Sequence, residues 1–174
     1  MNDIEIIENI QKKLTIPIGR HLYGIIGTYD SLNQFVEKLQ QAKTPDGSDF
    51  PPPLSLTRGI LDAFSDQEFK KIVTDEAKRP EPTQKSIEKE FENVIRQCLS
   101  KNKLVVFKDL ELLWAYKIDL NPLRTLATDD KRIIVLLPGR RSGSKVFMFH
   151  EQKGEEFLLP DNLIAEDHLW EITL

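Results

Sequence analysis

Two uninterrupted apolar runs, Leu104–Phe107 and Ile133–Leu137, set the terms for any fold of this chain. Each has the length of a strand, and neither alternates with polar residues. A strand wetted on one side alternates with period two, so these two must be covered on both faces. Amphipathic helical segments stand before and between them. Buried strands alternating with helices predict an α/β fold, a mainly parallel sheet flanked by helices.

The helical segments follow from their apolar spacing. In residues 2–14, Ile6, Ile7, Ile10 and Leu14 form one stripe, ended by Pro17 and Gly19. Residues 21–27 read as an apolar strand. Ser31-Leu-Asn-Gln34 has the form of a capping box, which predicts a helix opening at Ser31 and burying Leu32, Phe35, Val36 and Leu39. Residues 44–53 are loop by composition, and Leu54–Leu56 is a short strand. Two helices follow at 57–64 and 66–77, the second capped by Ser65 and Glu68 and striped by Phe69, Ile72 and Val73. Lys78–Pro82 breaks the chain. Ser86–Leu99 is a helix facing inward through Ile87, Phe91, Val94, Ile95 and Leu99. A short helix is expected around Pro122–Thr128, a glycine turn at Pro138–Ser144 and a strand at Lys145–Phe149. Phe157–Leu159 and Leu169–Leu174 read as short edge strands in a hairpin-like, antiparallel C-terminal region. One domain of residues 1–174 follows, with an N-terminal helix and linker (1–19), a sheet-helix core (20–144) and edge strands (145–174).

Size and composition agree. With 174 residues, 40% hydrophobic and 30% charged, the chain can bury a core without staples. Its one cysteine, Cys98, excludes an intrachain disulfide and a cysteine zinc site, and it lies on an apolar helix face. His21, His150 and His168 lack metal-ligand spacing. The start carries no basic region with an apolar run behind it, and no apolar stretch reaches membrane length. The expectation is a cytoplasmic protein without a membrane partner. A net charge of −4 argues against a broad nucleic-acid footprint but leaves room for a local basic patch.

Three places can carry chemistry. Gly24-Ile-Ile-Gly27-Thr-Tyr-Asp-Ser31 is a strand feeding a helix N-terminus, where free N–H groups and the helix dipole attract anions. Gly27 and Ser31 are the candidate nucleotide contacts. A phosphate loop needs G-x-x-x-x-G-K-[ST], however, and here the lysine and the second glycine spacing are missing. Asp30 also puts a carboxylate where a phosphate would sit. The second place is the end of the 104–107 strand. Asp109 and Glu111 are placed to hold magnesium through water, or else are ordinary solvated carboxylates. The third is Arg140, Arg141 and Lys145, the densest basic cluster, in the glycine turn. It can meet a phosphate backbone, an acidic partner or only solvent. Trp114, Tyr116 and Trp170 mark an interface if exposed and core if buried.

The segments Leu104–Trp114, Leu120–Leu126 and Arg132–Gly139 together resemble the small P-loop protein of type 3 BREX phage-defence systems. In that family an apolar strand ending in acidic residues is followed by a D-P-L-R-like helix start and a strand ending in Pro-Gly. The resemblance covers residues 100–145, and Leu56–Phe64 matches the segment after the second strand. It implies a P-loop NTPase-like sheet and a role in anti-phage defence. The chain departs from the family at Gly24–Ser31, and Lys108 stands where an acidic or small residue is expected. A degenerate member is therefore anticipated: an accessory or adaptor subunit that docks onto larger subunits, with no catalytic residue, no metal and no cofactor. The alternatives are an ATPase using ATP and magnesium through an irregular loop, and a nucleic-acid-binding component.

Overall fold

A computed structural model describes residues 1–76, 80–151 and 156–173. The main sheet holds five parallel strands: β1 (Leu22–Gly27), β2 (Leu54–Ser55), β3 (Leu104–Lys108), β4 (Arg132–Ser142) and β7 (Leu169–Glu171). Their spatial order is β2-β3-β4-β1-β7. Two further strands, β5 (Lys145–Met148) and β6 (Phe157–Leu158), pair antiparallel with the end of β4 and with each other. The α/β class and the mainly parallel sheet are as the two apolar runs predict.

Both central strands are buried on both faces because two separate cores clasp them. Side chains of odd position in β1 and even position in β4 face one way: Tyr23, Ile25, Ile134 and Leu136. They pack on helix α1 (Asp3–Leu14) through Ile6, Ile7, Ile10 and Leu14, and on α2 (Tyr29–Gln41) through Leu32, Phe35 and Leu39. Leu22, Ile26, Ile133, Val135 and Leu137 face the other way. They meet α3 (Leu56–Asp62), α5 (Pro80–Lys101), α6 (Glu111–Ala115), α7 (Asn121–Leu126) and the C-terminal strands. Helix α4 (Asp66–Glu76) lies beside α5.

Several expectations are corrected. Helix α2 opens at Tyr29, and Thr28 rather than Ser31 is its N-cap. The Thr28 backbone is extended and its hydroxyl accepts from the Ser31 N–H at 3.1 Å. The Ser65–Glu68 capping box does form, with reciprocal bonds of 2.9 and 3.2 Å. Helix α5 begins at Pro80, ahead of Ser86, because proline is tolerated in a first turn whose N–H groups lack partners in any case. The helix α6 has no counterpart in the apolar pattern. The C-terminal region is only partly antiparallel, since β7 runs parallel to β1 and forms the sheet edge. Of the expected α4 stripe, Val73 is 56% exposed instead of buried; the side chains of Phe69 and Ile72, and the residues Lys78 and Arg79 of the expected break, lie outside what is described. Trp114 and Trp170 are buried, 9% and 8% exposed, and so belong to the cores. Among the described residues no helix is long and apolar enough to cross a membrane.

Candidate functional site

Ligands of open parallel sheets lie at the carboxyl ends of neighbouring strands whose outgoing connections diverge to opposite faces. Here those strands are β1 and β4. The chain leaves β1 through α2 on one face and leaves β4 through segments packed on the other. The site therefore centres on Gly27, Thr28 and Tyr29, with Asp109 and Glu111 at the end of β3, two strands from β1.

The strand-to-helix passage is short. Gly27 ends β1, Thr28 caps, and Tyr29 is already helical. One intervening residue leaves no backbone with which to wrap a phosphate. Gly27 does not take a left-handed conformation; it is required by space. A Cβ there would stand 2.5 Å from the Ser31 hydroxyl. Ser31 is itself buried, and its hydroxyl donates to the Thr28 carbonyl at 3.1 Å. Neither candidate contact offers a free group to an incoming anion.

The N-terminus of α2 also has its anion already. The Glu151 carboxylate, from the segment after β5, accepts from the Tyr29 N–H at 3.0 Å. Asp30 adds a second carboxylate in the first turn. Negative groups there satisfy unpaired N–H donors and the positive end of the helix dipole. A phosphate would have to displace Glu151 and tolerate Asp30.

Asp109 and Glu111 do come together, lining an open cleft of about 440 Å³ with Ser55, Thr57, Arg58 and Asp62. Asp109 adopts a left-handed backbone, φ 56°, which turns the chain from β3 into α6. Its carbonyl accepts from both the N–H and the hydroxyl of Thr57, at 3.0 and 2.5 Å, and so fixes α3 to β3. Glu111 accepts from the Tyr29 hydroxyl at 2.9 Å. Tyr29 thus meets a carboxylate at each end, Glu151 at its backbone and Glu111 at its phenol. Among the described residues there is no group of three His, Cys, Asp or Glu side chains placed to hold a metal ion.

The basic trio is dispersed. Arg140 and Arg141 are strand residues of β4 and do not lie in the turn, which is confined to Gly143 and Ser144. Successive strand residues point to opposite faces. Arg141 pairs with the Glu166 carboxylate, and its N–H donates to Glu171 at 3.0 Å. Arg140 and Lys145 share the other face by register, since Ser142 pairs with Lys145, and both are exposed. The sequence brings three cations together, and the hairpin leaves two.

Tyr29 stood inside the motif read from the sequence, between Thr28 and Asp30, yet nothing in the spacing marked it as the contact. Glu151 had no signal at all, because only the fold carries it across to α2. No protein-family model, curated protein or solved structure matches the chain.

Proposed function

We propose that the chain is a P-loop-like accessory subunit that neither binds nor hydrolyses nucleotide, and that it works by docking onto larger subunits of an anti-phage defence system. One observation carries the reading: the helix N-terminus that would hold a phosphate is held by the chain's own Glu151 at 3.0 Å. Three others support it. The β1-to-α2 passage has a single cap residue. Glu111, a candidate magnesium contact, is engaged by Tyr29. A mainly parallel sheet with a strand-turn-helix at its divergence point is compatible with the P-loop-like frame that the resemblance of residues 100–145 implies. The defence role rests on that resemblance.

With the niche filled from within the chain by Glu151, this reading assigns the function to the surface. The exposed cleft of Arg58, Asp62, Asp109 and Glu111 offers mixed charge that a partner of complementary charge could match. Calorimetric titration with ATP and magnesium is expected to give no heat of binding at 100 μM protein. Affinity purification from the native host is expected to retain a larger protein. Micromolar ATP binding lost on Asp109→Ala would reverse the reading in favour of an irregular ATPase. Binding to DNA or RNA that weakens steeply with salt and depends on Arg140 and Lys145 would favour a nucleic-acid component.

A further inference from the structure

At the opposite end of the sheet, around the start of β1, lies a buried polar cluster that the proposed function does not use. His21 is 2% exposed and Tyr23 is fully buried. The His21 Nδ1 and the Tyr23 hydroxyl share a hydrogen bond, and the His21 Nε2 has no partner. The Tyr23 ring stands 4.8 Å from that of His168 and stacks on Trp170 at 6.1 Å. Arg132, from β4, donates to the Ile16 carbonyl at 3.2 Å, while its Nε is buried without a partner.

We propose that residues 15–20, the linker between α1 and β1, form a flap over this cluster that opens when His21 is protonated. Burial is what most favours opening: it disfavours a proton on His21 more than any other cause, and Arg132 and His168 disfavour it further. Asp129 and the Ile16 carbonyl favour it, more weakly. Around His168, burial and Lys13 oppose a proton, while Asp167 and the Leu22 carbonyl favour it. Asp167, however, is already paired with Lys13 and is 69% exposed. A cation on His21 therefore gains most by reaching water.

The linker is the segment able to give way. It is tied by the Arg132–Ile16 bond, by Gly19 and Asp129, which bond each other twice at 3.0 and 2.7 Å, and by an Arg20–Thr128 bridge. Its apolar side chains Ile16 and Ile18 are 48% and 76% exposed, so little apolar burial holds it. Helix α1, anchored by four buried aliphatic side chains, stays in place.

Amide exchange read residue by residue by NMR, corrected for intrinsic rate, tests this at pH 7.5 and 5.0. Protection of the Ile16, Gly19 and His21 amides is expected to fall at least ten-fold at the lower pH, with Ile7 and Ile10 unchanged, and His21→Gln is expected to abolish the fall. The ring signals of His21 in the unaltered protein provide a second reading and are expected to titrate over the same range as the loss of protection. Linker protection that is constant across the range, or that falls equally in His21→Gln, overturns the proposal. If His21→Gln does not fold, a fall that does not track the His21 ring titration overturns it instead. None of these outcomes bears on nucleotide or partner binding.

Discussion

Glu151 does for α2 what a bound anion does at other helix N-termini, and its effect can be measured. Glu151→Gln keeps the acceptor oxygen but removes the charge. The dipole interaction of an exposed carboxylate at a helix N-terminus is worth about 0.3–1 kcal/mol. The variant should lower stability by that order in urea melts and, on the proposed reading, should show no ATP binding. A gain of micromolar ATP affinity in Glu151→Gln would mean that the carboxylate alone masks a working site. Titrating histidines act at the same scale. His21 and His168 are both held below the ordinary histidine value, burial being the largest cause. As pH falls through about 6.5 the unfolded chain takes up protons that the folded chain refuses. Their effect on stability is therefore neutral above that pH, and stability declines below it until the folded rings also protonate. Urea melts at pH 7.5, 6.5 and 5.5 should show this decline, and it should be shallower in His168→Gln.

Helix α2 illustrates what spacing alone conveys. Leu32, Phe35 and Leu39 recur at helical intervals and name the buried face correctly. The start is harder, because Thr28 and Ser31 are both good caps and a capping box at Ser31–Gln34 fits the residue types. What decides is the strand before it: β1 runs to Gly27, so the first extended residue free to cap is Thr28. The two positions should therefore respond unequally. Thr28→Ala should cost about 1 kcal/mol by losing the bond to the Ser31 N–H. Ser31→Ala removes a hydroxyl that serves only the Thr28 carbonyl, which also accepts from Leu32 at 2.9 Å, and should cost less. Equal losses in thermal melts would restore the Ser31 cap. The hairpin of β4 and β5 departs from its sequence pattern for a related reason. Pro138 and Gly139 have turn chemistry, yet both lie within a continuous strand. Gly139 is there for proximity, since a Cβ would meet the Phe147 carbonyl oxygen at 2.5 Å. Gly139→Ala should disrupt the hairpin and lower the melting temperature by several degrees, as a backbone clash cannot be relieved by a rotamer change.

On the scale of the molecule, the sheet divides the interior into two cores that share every central strand. The apolar runs Leu104–Phe107 and Ile133–Leu137 made that architecture legible, because a strand apolar on both faces needs cover on both. The candidate site was less legible. Its frame, β1 followed by α2 and the acidic end of β3, is local in sequence and could be read. Its occupancy by Glu151 depends on a contact across the fold, to which no spacing rule applies. Each core carries its own reporter, Trp114 on one side and Trp170 on the other. Because Ile133 and Ile134, adjacent in β4, belong to different cores, the two cores are expected to melt together. Trp114→Phe and Trp170→Phe variants, each followed by the remaining tryptophan, should give denaturation midpoints whose offset from the unaltered protein matches that seen by circular dichroism. Midpoints that differ between the fluorescence and circular dichroism of one variant would divide the molecule into independent units.

The position of β1 also bears on how the polypeptide is made. It ends at Gly27, yet its two hydrogen-bonding neighbours begin at Arg132 and Leu169. On the ribosome this greasy ribbon emerges ahead of both partners and waits, unzipped along both edges, until they follow. Such distant pairing makes for slow folding and a long window for mispairing. A chaperone that shields nascent strands would accordingly act here before any partner does.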